Sequence, residues 1–175
     1  MVKLTIEYES SEERIAAEIA IYYHRNQQRK YTGEPYVNHC SEVAEIVKSV
    51  PHDTPMACAA WLHDTLEDTD LNPGVILSTF GIHTLNLVWR LTHAITHQNR
   101  TTRKTIDRET LSKSSPKVQT IKLADILSNT DSIAMSDKKF SAVFLPEMRL
   151  LHSALLLGDS SLRLRVDTKL RGYGY

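Results

Sequence analysis

Apolar residues recur along this chain at three- and four-residue spacing between brief polar breaks, the pattern of a protein built from helices. Ser10 and Glu13 form a capping-box pair. Ile15, Ile19 and Tyr22 follow at helical spacing, so a first helix is expected from Ser10 to about Arg29, with Lys30-Tyr31-Thr32-Gly33 breaking it. A second starts near Pro35 and sets Val43, Val47 and Val50 on one face. Thr54-Pro55 opens a third, Thr54 as cap and Pro55 at the first helical position, carrying Met56 to about Asp68. Asn72-Pro73-Gly74 separates it from a short helix that Gly81 closes. Another covers His83 to about Ile95, and His97 to Thr102 reads as a loop. Further helices are expected near Lys104 to Lys113, from Pro116 to about Asn129, and through Leu157, with Pro146 starting or kinking the last and Gly158-Asp159 ending it. The closing RGYGY reads as frayed, and Val2 to Tyr8 alternates weakly, as a short strand or an arm. The expected class is all-α: eight or nine helices in one compact domain over 1–175, with its core at about 10–157 and a C-terminal tail at 158–175.

Composition narrows the function classes. A chain of 175 residues has room for one domain. Lys plus Arg and Asp plus Glu both number 21, and a net charge of zero excludes a global nucleic-acid footprint. No apolar run approaches the ~20 residues of a membrane span, and the N-terminus lacks the charged start and apolar core of a signal peptide. Cys40 and Cys58 are too few for a disulfide framework and read as buried small hydrophobes, so a cytoplasmic setting is expected. Trp61 and Trp89 read as core, and His24 as structural.

The neutral total hides a local asymmetry. Between Val88 and Lys122 stand eight basic residues (Arg90, Arg100, Arg103, Lys104, Arg108, Lys113, Lys117, Lys122) against Asp107 and Glu109. Between His63 and Asp70 stand four acids and no Lys or Arg. Carboxylates that hold a cation beside bases that hold an anion suit a metal site handling a phosphorylated substrate. His63-Asp64 sits at the polar end of the apolar run Ala59-Ala60-Trp61-Leu62, and Glu67 and Asp68 come four residues after each. If the helix continues, all four line one edge, a costly arrangement unless something such as a divalent cation pairs them. Partners must come from elsewhere: His39 on the preceding helix, and Asp125, an acid inside the apolar run IKLADILSNT that otherwise caps or pairs with Lys122. Two imidazoles and two carboxylates suit six-coordinate Mn²⁺ or Fe²⁺ better than a structural Zn²⁺.

Three blocks in this order carry a resemblance: HRNQQRKYTGEPYVNH (24–39), AAWLHDTLEDTDL (59–71) with the FG at 80–81, and IKLADILSNT (121–130). They resemble the HD-domain metal-dependent phosphohydrolases, and within them the hydrolase domain of RelA/SpoT-type enzymes in its short stand-alone form. The resemblance implies an all-helical HD fold, usually with Mn²⁺ (Fe²⁺ or another divalent metal being possible), that removes pyrophosphate from the 3′ position of guanosine 3′,5′-bis(diphosphate). It implies His39, His63, Asp64 and Asp125 as metal ligands, and Glu67 and Asp68 as the acidic pair that orients or deprotonates the attacking water. Arg29 and Lys30 would flank the base, and Asn129, four residues from Asp125, would contact ribose or phosphate. The implied partner is a small nucleotide, with no nucleic acid and no membrane. Lys30, Arg103, Lys104 and Lys138 are further candidates for neutralising phosphate charge.

Departures from the family's pattern keep an alternative open. Tyr31-Thr32 lengthens the loop before GEPY, Phe144 stands where several relatives have Tyr, and Thr130-Asp131-Ser132 replaces a segment that holds a phosphate-binding Arg. A carboxylate at Asp131 would repel a 5′-diphosphate and favour an HD phosphohydrolase acting on another nucleotide or phosphorylated metabolite. A non-catalytic nucleotide-binding module is the third reading, opposed by the intact ligand positions. His93 and His97 have HxxxH spacing, but Ala94 stands where a metalloprotease needs Glu.

Overall fold

A computed structural model of the chain describes residues 7–92 and 99–175. Nine helical segments make up the described residues: α1 (Ser11–Tyr23), α2 (Val37–Lys48), α3 (Thr54–Leu62), α4 (Thr65–Asp68), α5 (Pro73–Leu91), α6 (Arg100–Ser112), α7 (Pro116–Ser136), α8 (Lys138–Ala154) and α9 (Ser160–Gly172). Val2–Ile6 and the His93/His97 pair lie outside the described residues.

Two helices form the spine. From Met56 to Leu62 every residue of α3 is buried, which is why that segment has no polar face in the sequence. It packs against α1, α2 and α5, while α7 packs against α2, α8 and α9. Half of the capping box forms: Ser10 Oγ accepts from Glu13 N (3.0 Å), but the Glu13 carboxylate accepts from Glu9 N (2.7 Å), one residue before the cap. Glu13 is also completely buried, where it accepts from Trp61 Nε1 at 3.2 Å and lies 3.1 Å from Lys48 Nζ.

The differences from the expected helices have local causes. α1 stops at Tyr23, six residues early, because residues 24–36 fold back on themselves. Tyr36 N donates to Gln27 O and Arg29 N to Glu34 O, and Gly33 supplies the positive φ (71°) that the turn needs. Asp53, not Thr54, caps α3. Asn99 caps α6, which begins at Arg100, four residues before Lys104, and α7 runs on past Asn129 to Ser136. Asp137 ends α7 and caps α8, which incorporates Pro146. Gly81, at φ 79°, kinks α5 where two helices were expected. Trp89 is 59% exposed and so is not a core residue, whereas Trp61 is completely buried.

The tail is the largest correction. Residues 160–172 form a helix, α9, whose Leu162, Val166 and Leu170 are buried in the same apolar cluster as α3 and α7. Asp159 caps it by accepting from Ser161 N and Leu162 N. Buried Gln119 ties the turn before it to α7, accepting from Leu157 N while its amide donates to the Leu111, Ser112 and Ser114 carbonyls. Gly158 fits there because an added Cβ would stand 2.6 Å from Leu123 Cδ1. Leu170→Ala should therefore cost about 2–5 kcal/mol in chemical denaturation. A frayed tail would lose almost nothing.

Candidate functional site

The site lies where α2, the α3–α4 junction and α7 meet. The expected continuous helix from Met56 to Asp68 is broken at His63-Asp64, and the break is built from side chains. His63 Nδ1 takes the Ala60 carbonyl (2.8 Å) and Thr65 Oγ1 donates to the Leu62 carbonyl (2.7 Å), two acceptors that the last turn of α3 leaves open. At this break Asp64 Oδ2 lies 3.0 Å from His63 Nε2.

His39, from α2, brings its Nε2 to 3.2 Å from His63 Nε2, 3.3 Å from Asp125 Oδ1 and 3.6 Å from Asp64 Oδ2. One ligand atom each from His39, His63 and Asp125 lies within 4.8 Å of the others. The chemistry of this donor set fits a divalent cation. Ser128 Oγ donates to Glu42, so it accepts from His39 Nδ1 (2.8 Å), and the Ala60 carbonyl can only accept from His63 Nδ1. Assigned from this network, each imidazole keeps a proton on Nδ1 and turns its Nε2 toward the other ring and two carboxylates. The pocket favours positive charge. Burial opposes charge on His39, but Asp125 and Asp64 outweigh it and lift its pKa to about 9. Burial likewise opposes ionisation of Asp64 and Asp125. His63 and His39 hold Asp64 well below the usual carboxylate range, and Lys122 with the imidazoles does the same for Asp125. Tyr36 OH donates to Asp64 Oδ2 at 2.6 Å, and burial followed by the Asp64 charge pushes its own pKa up. His24, buried as expected for a structural residue, backs Tyr36 with ring centroids 4.9 Å apart and bonds Gln27 through Nδ1.

A cavity of about 240 Å³ opens over this floor. Asp64, Glu67, Asp68, Asp125 and Asn129 line it, with Lys104, Arg108 and Lys122 on the basic side. Glu67 and Asp68 are exposed, and the Asp68 carbonyl accepts from Gln27 Nε2. Lys122 is paired with Asp125 at 2.7 Å, and Asn129 Nδ2 donates to Asp125 Oδ1 at 2.6 Å, so both α7 side chains hold that carboxylate in place. Burial, then Lys122, lowers the pKa of Lys104. One wall is apolar, with Ile126, Phe144, Met148 and Leu151. Phe144 ends an aromatic row through Phe140 to Tyr31, and Lys30 Nζ sits 5.2 Å from the Tyr31 ring centroid at its far end.

Other sequence candidates fall elsewhere. Arg29 is not brought to the cavity wall: it is buried, and its guanidinium donates to Glu42, Ser132 and the Ser128 carbonyl. Neither Arg103 nor Lys138 lines the cavity. Asp131 does not either, and its carboxylate accepts from Lys169 (2.6 Å) and Tyr173 OH (3.0 Å). Arg108 was missed as a lining cation. It stands four residues after Lys104 on α6, and that spacing is the signal that marks it. Among the described residues, no helix is long and apolar enough to cross a membrane.

An HD-domain family model matches residues 16–144. The Drosophila melanogaster protein named guanosine-3′,5′-bis(diphosphate) 3′-pyrophosphohydrolase MESH1 is 36% identical over 125 residues, covering 70% of this chain and 69% of that protein. The human protein of the same name is 38% identical over 117 residues, covering 65% of each chain. A probable GTP diphosphokinase, RSH3 of Arabidopsis thaliana chloroplasts, is 34% identical over 113 residues, 61% of this chain but only 16% of that protein. A solved structure, described as a metazoan ortholog of SpoT that hydrolyzes ppGpp and plays a role in starvation responses, superposes with a TM-score of 0.88. It is 28% identical in sequence and covers 97% of this chain and 99% of its own.

Proposed function

This chain belongs to the HD-domain family, and from that footing we propose that it is a Mn²⁺-dependent phosphohydrolase that releases pyrophosphate from the 3′ position of guanosine 3′,5′-bis(diphosphate). The observation that carries the proposal is the convergence of buried His39 and His63 with Asp64 and Asp125, the two carboxylates lining a cavity whose wall bears both an acidic pair and basic side chains. The names of the fly and human relatives supply the substrate.

His39, His63, Asp64 and Asp125 would hold the metal, which when bound supplies Lewis-acid polarisation of a phosphoryl oxygen and a lowered pKa for water. The cavity lining carries six carboxylates (Asp64, Glu67, Asp68, Asp107, Asp125, Glu147) against three cationic side chains, so a resident cation is needed before an anionic substrate is attracted. Glu67 or Asp68 takes a proton from the water that attacks the phosphorus attached to the 3′ oxygen. The bond from phosphorus to that oxygen breaks, the oxygen leaves as a hydroxyl with the proton that the carboxylate took from water, and the diphosphoryl group departs as pyrophosphate. Lys104, Arg108 and Lys122 face the phosphate charge. Asn129 steadies Asp125 and offers its remaining amide hydrogen to the ribose, while the apolar wall and Lys30's aromatic row receive the nucleoside.

A panel of guanosine and adenosine 3′,5′-phosphates, assayed with Mn²⁺ and with product identification, tests this. Pyrophosphate and guanosine 5′-diphosphate are expected from the bis(diphosphate). Turnover only of nucleotides with fewer phosphates would replace this substrate with the alternative, and no turnover of any would leave a binding module.

A further inference from the structure

His39 is held from behind by a chain of hydrogen bonds that begins outside the cavity. Its Nδ1 meets Ser128 Oγ at 2.8 Å, Ser128 Oγ donates to Glu42 Oε2 at 2.5 Å, and Arg29 Nη1 donates to the same Glu42 oxygen at 2.9 Å. The Glu42 side chain is 50% exposed. Arg29 is anchored in turn, at 3.1 Å to the Ser128 carbonyl and 3.0 Å to Ser132 Oγ. Ser128 has one hydroxyl hydrogen. Because that hydrogen goes to a carboxylate, the oxygen is left to accept from His39, which fixes a proton on Nδ1 and aims Nε2, the nitrogen a metal would take, at His63 and Asp125.

We propose that Glu42 and Ser128 are positioning residues for the metal: acting through His39, they set its tautomer and ring orientation and strengthen it as a donor. This rests on the metal reading of the site. A histidine that binds a metal usually gives its other ring N–H to a carboxylate, a carbonyl or water, and losing that partner typically costs 10–100-fold in metal affinity. In this protein a serine stands between imidazole and carboxylate, and buried Arg29 holds the carboxylate in place. The placement is repeated on both helices: Glu42 lies three residues beyond His39 on α2, and Ser128 three beyond Asp125 on α7, one turn past each proposed ligand.

The test is the affinity for Mn²⁺, read from the free-ion electron paramagnetic resonance signal, for the full chain and its Ser128→Ala, Ser128→Thr and Glu42→Ala variants. Thermal midpoints in chelator show that each is folded. Ser128→Ala should weaken Mn²⁺ binding roughly 10–100-fold. Ser128→Thr, which keeps the hydroxyl, should stay within a few-fold of the parent. Glu42→Ala should weaken binding in the parent but add little on top of Ser128→Ala, because the carboxylate acts through the serine. Parent-like affinity in Ser128→Ala overturns the proposal, as does a Ser128→Thr as weak as the alanine or full additivity of the two changes. Failure of the parent chain itself to bind Mn²⁺ would instead sink the metal reading of the site.

Discussion

Asp64→Ala is expected to abolish turnover while leaving the protein folded. The carboxylate sits at the junction of α3 and α4, 21% exposed on the cavity floor, and its contacts are the two imidazoles and Tyr36 OH. None of the bonds that end α3 passes through its side chain, since those belong to His63 and Thr65. A metal typically contributes several kcal/mol of transition-state stabilisation, so losing its grip should cost roughly 10³-fold or more in kcat/KM. Steady-state kinetics at saturating Mn²⁺, beside a thermal unfolding scan, checks both halves. Turnover within tenfold of the parent would remove Asp64 from the ligand set. His63→Ala should inactivate as well, but it also removes the bond to the Ala60 carbonyl and so should lower stability, which makes Asp64 the cleaner probe.

Glu67→Gln separates chemistry from binding. The side chain is exposed on the cavity wall, and glutamine keeps its shape while removing the base. General-base catalysis is typically worth 10²–10⁴-fold, so kcat should fall by about that factor with KM changed only a few-fold. Asp68→Asn measured alongside decides which of the two carboxylates takes the proton: the base shows the larger loss in kcat. A raised KM with kcat unchanged would make Glu67 a binding group.

Much of this site was readable from residue types and spacing, because chemistry-bearing residues interrupt apolar helices where burial makes them costly. His63-Asp64 after Ala59-Ala60-Trp61-Leu62 and Asp125 within IKLADILSNT stand out for that reason. The turn at His63 did not, since it depends on side chains replacing backbone donors, and helical periodicity is blind to that exchange. Arg29 lies behind the cavity wall for a related reason. Its loop folds back through Gly33, and Glu42 and Ser132, distant in sequence, draw the guanidinium inward. Asp131 looked like an obstacle because its partners, Lys169 and Tyr173, lie in and just beyond a helix that reads as a tail when Leu162, Val166 and Leu170 are weighed without the core they fill.

Anomalous diffraction at the manganese edge, from crystals grown with Mn²⁺, probes the whole account most directly. One peak is expected, bonded at roughly 2 Å to Nε2 of His39 and His63 and to carboxylate oxygens of Asp64 and Asp125. A peak elsewhere on the protein, or one at this position that leaves Asp125 or His39 unbonded, would contradict it.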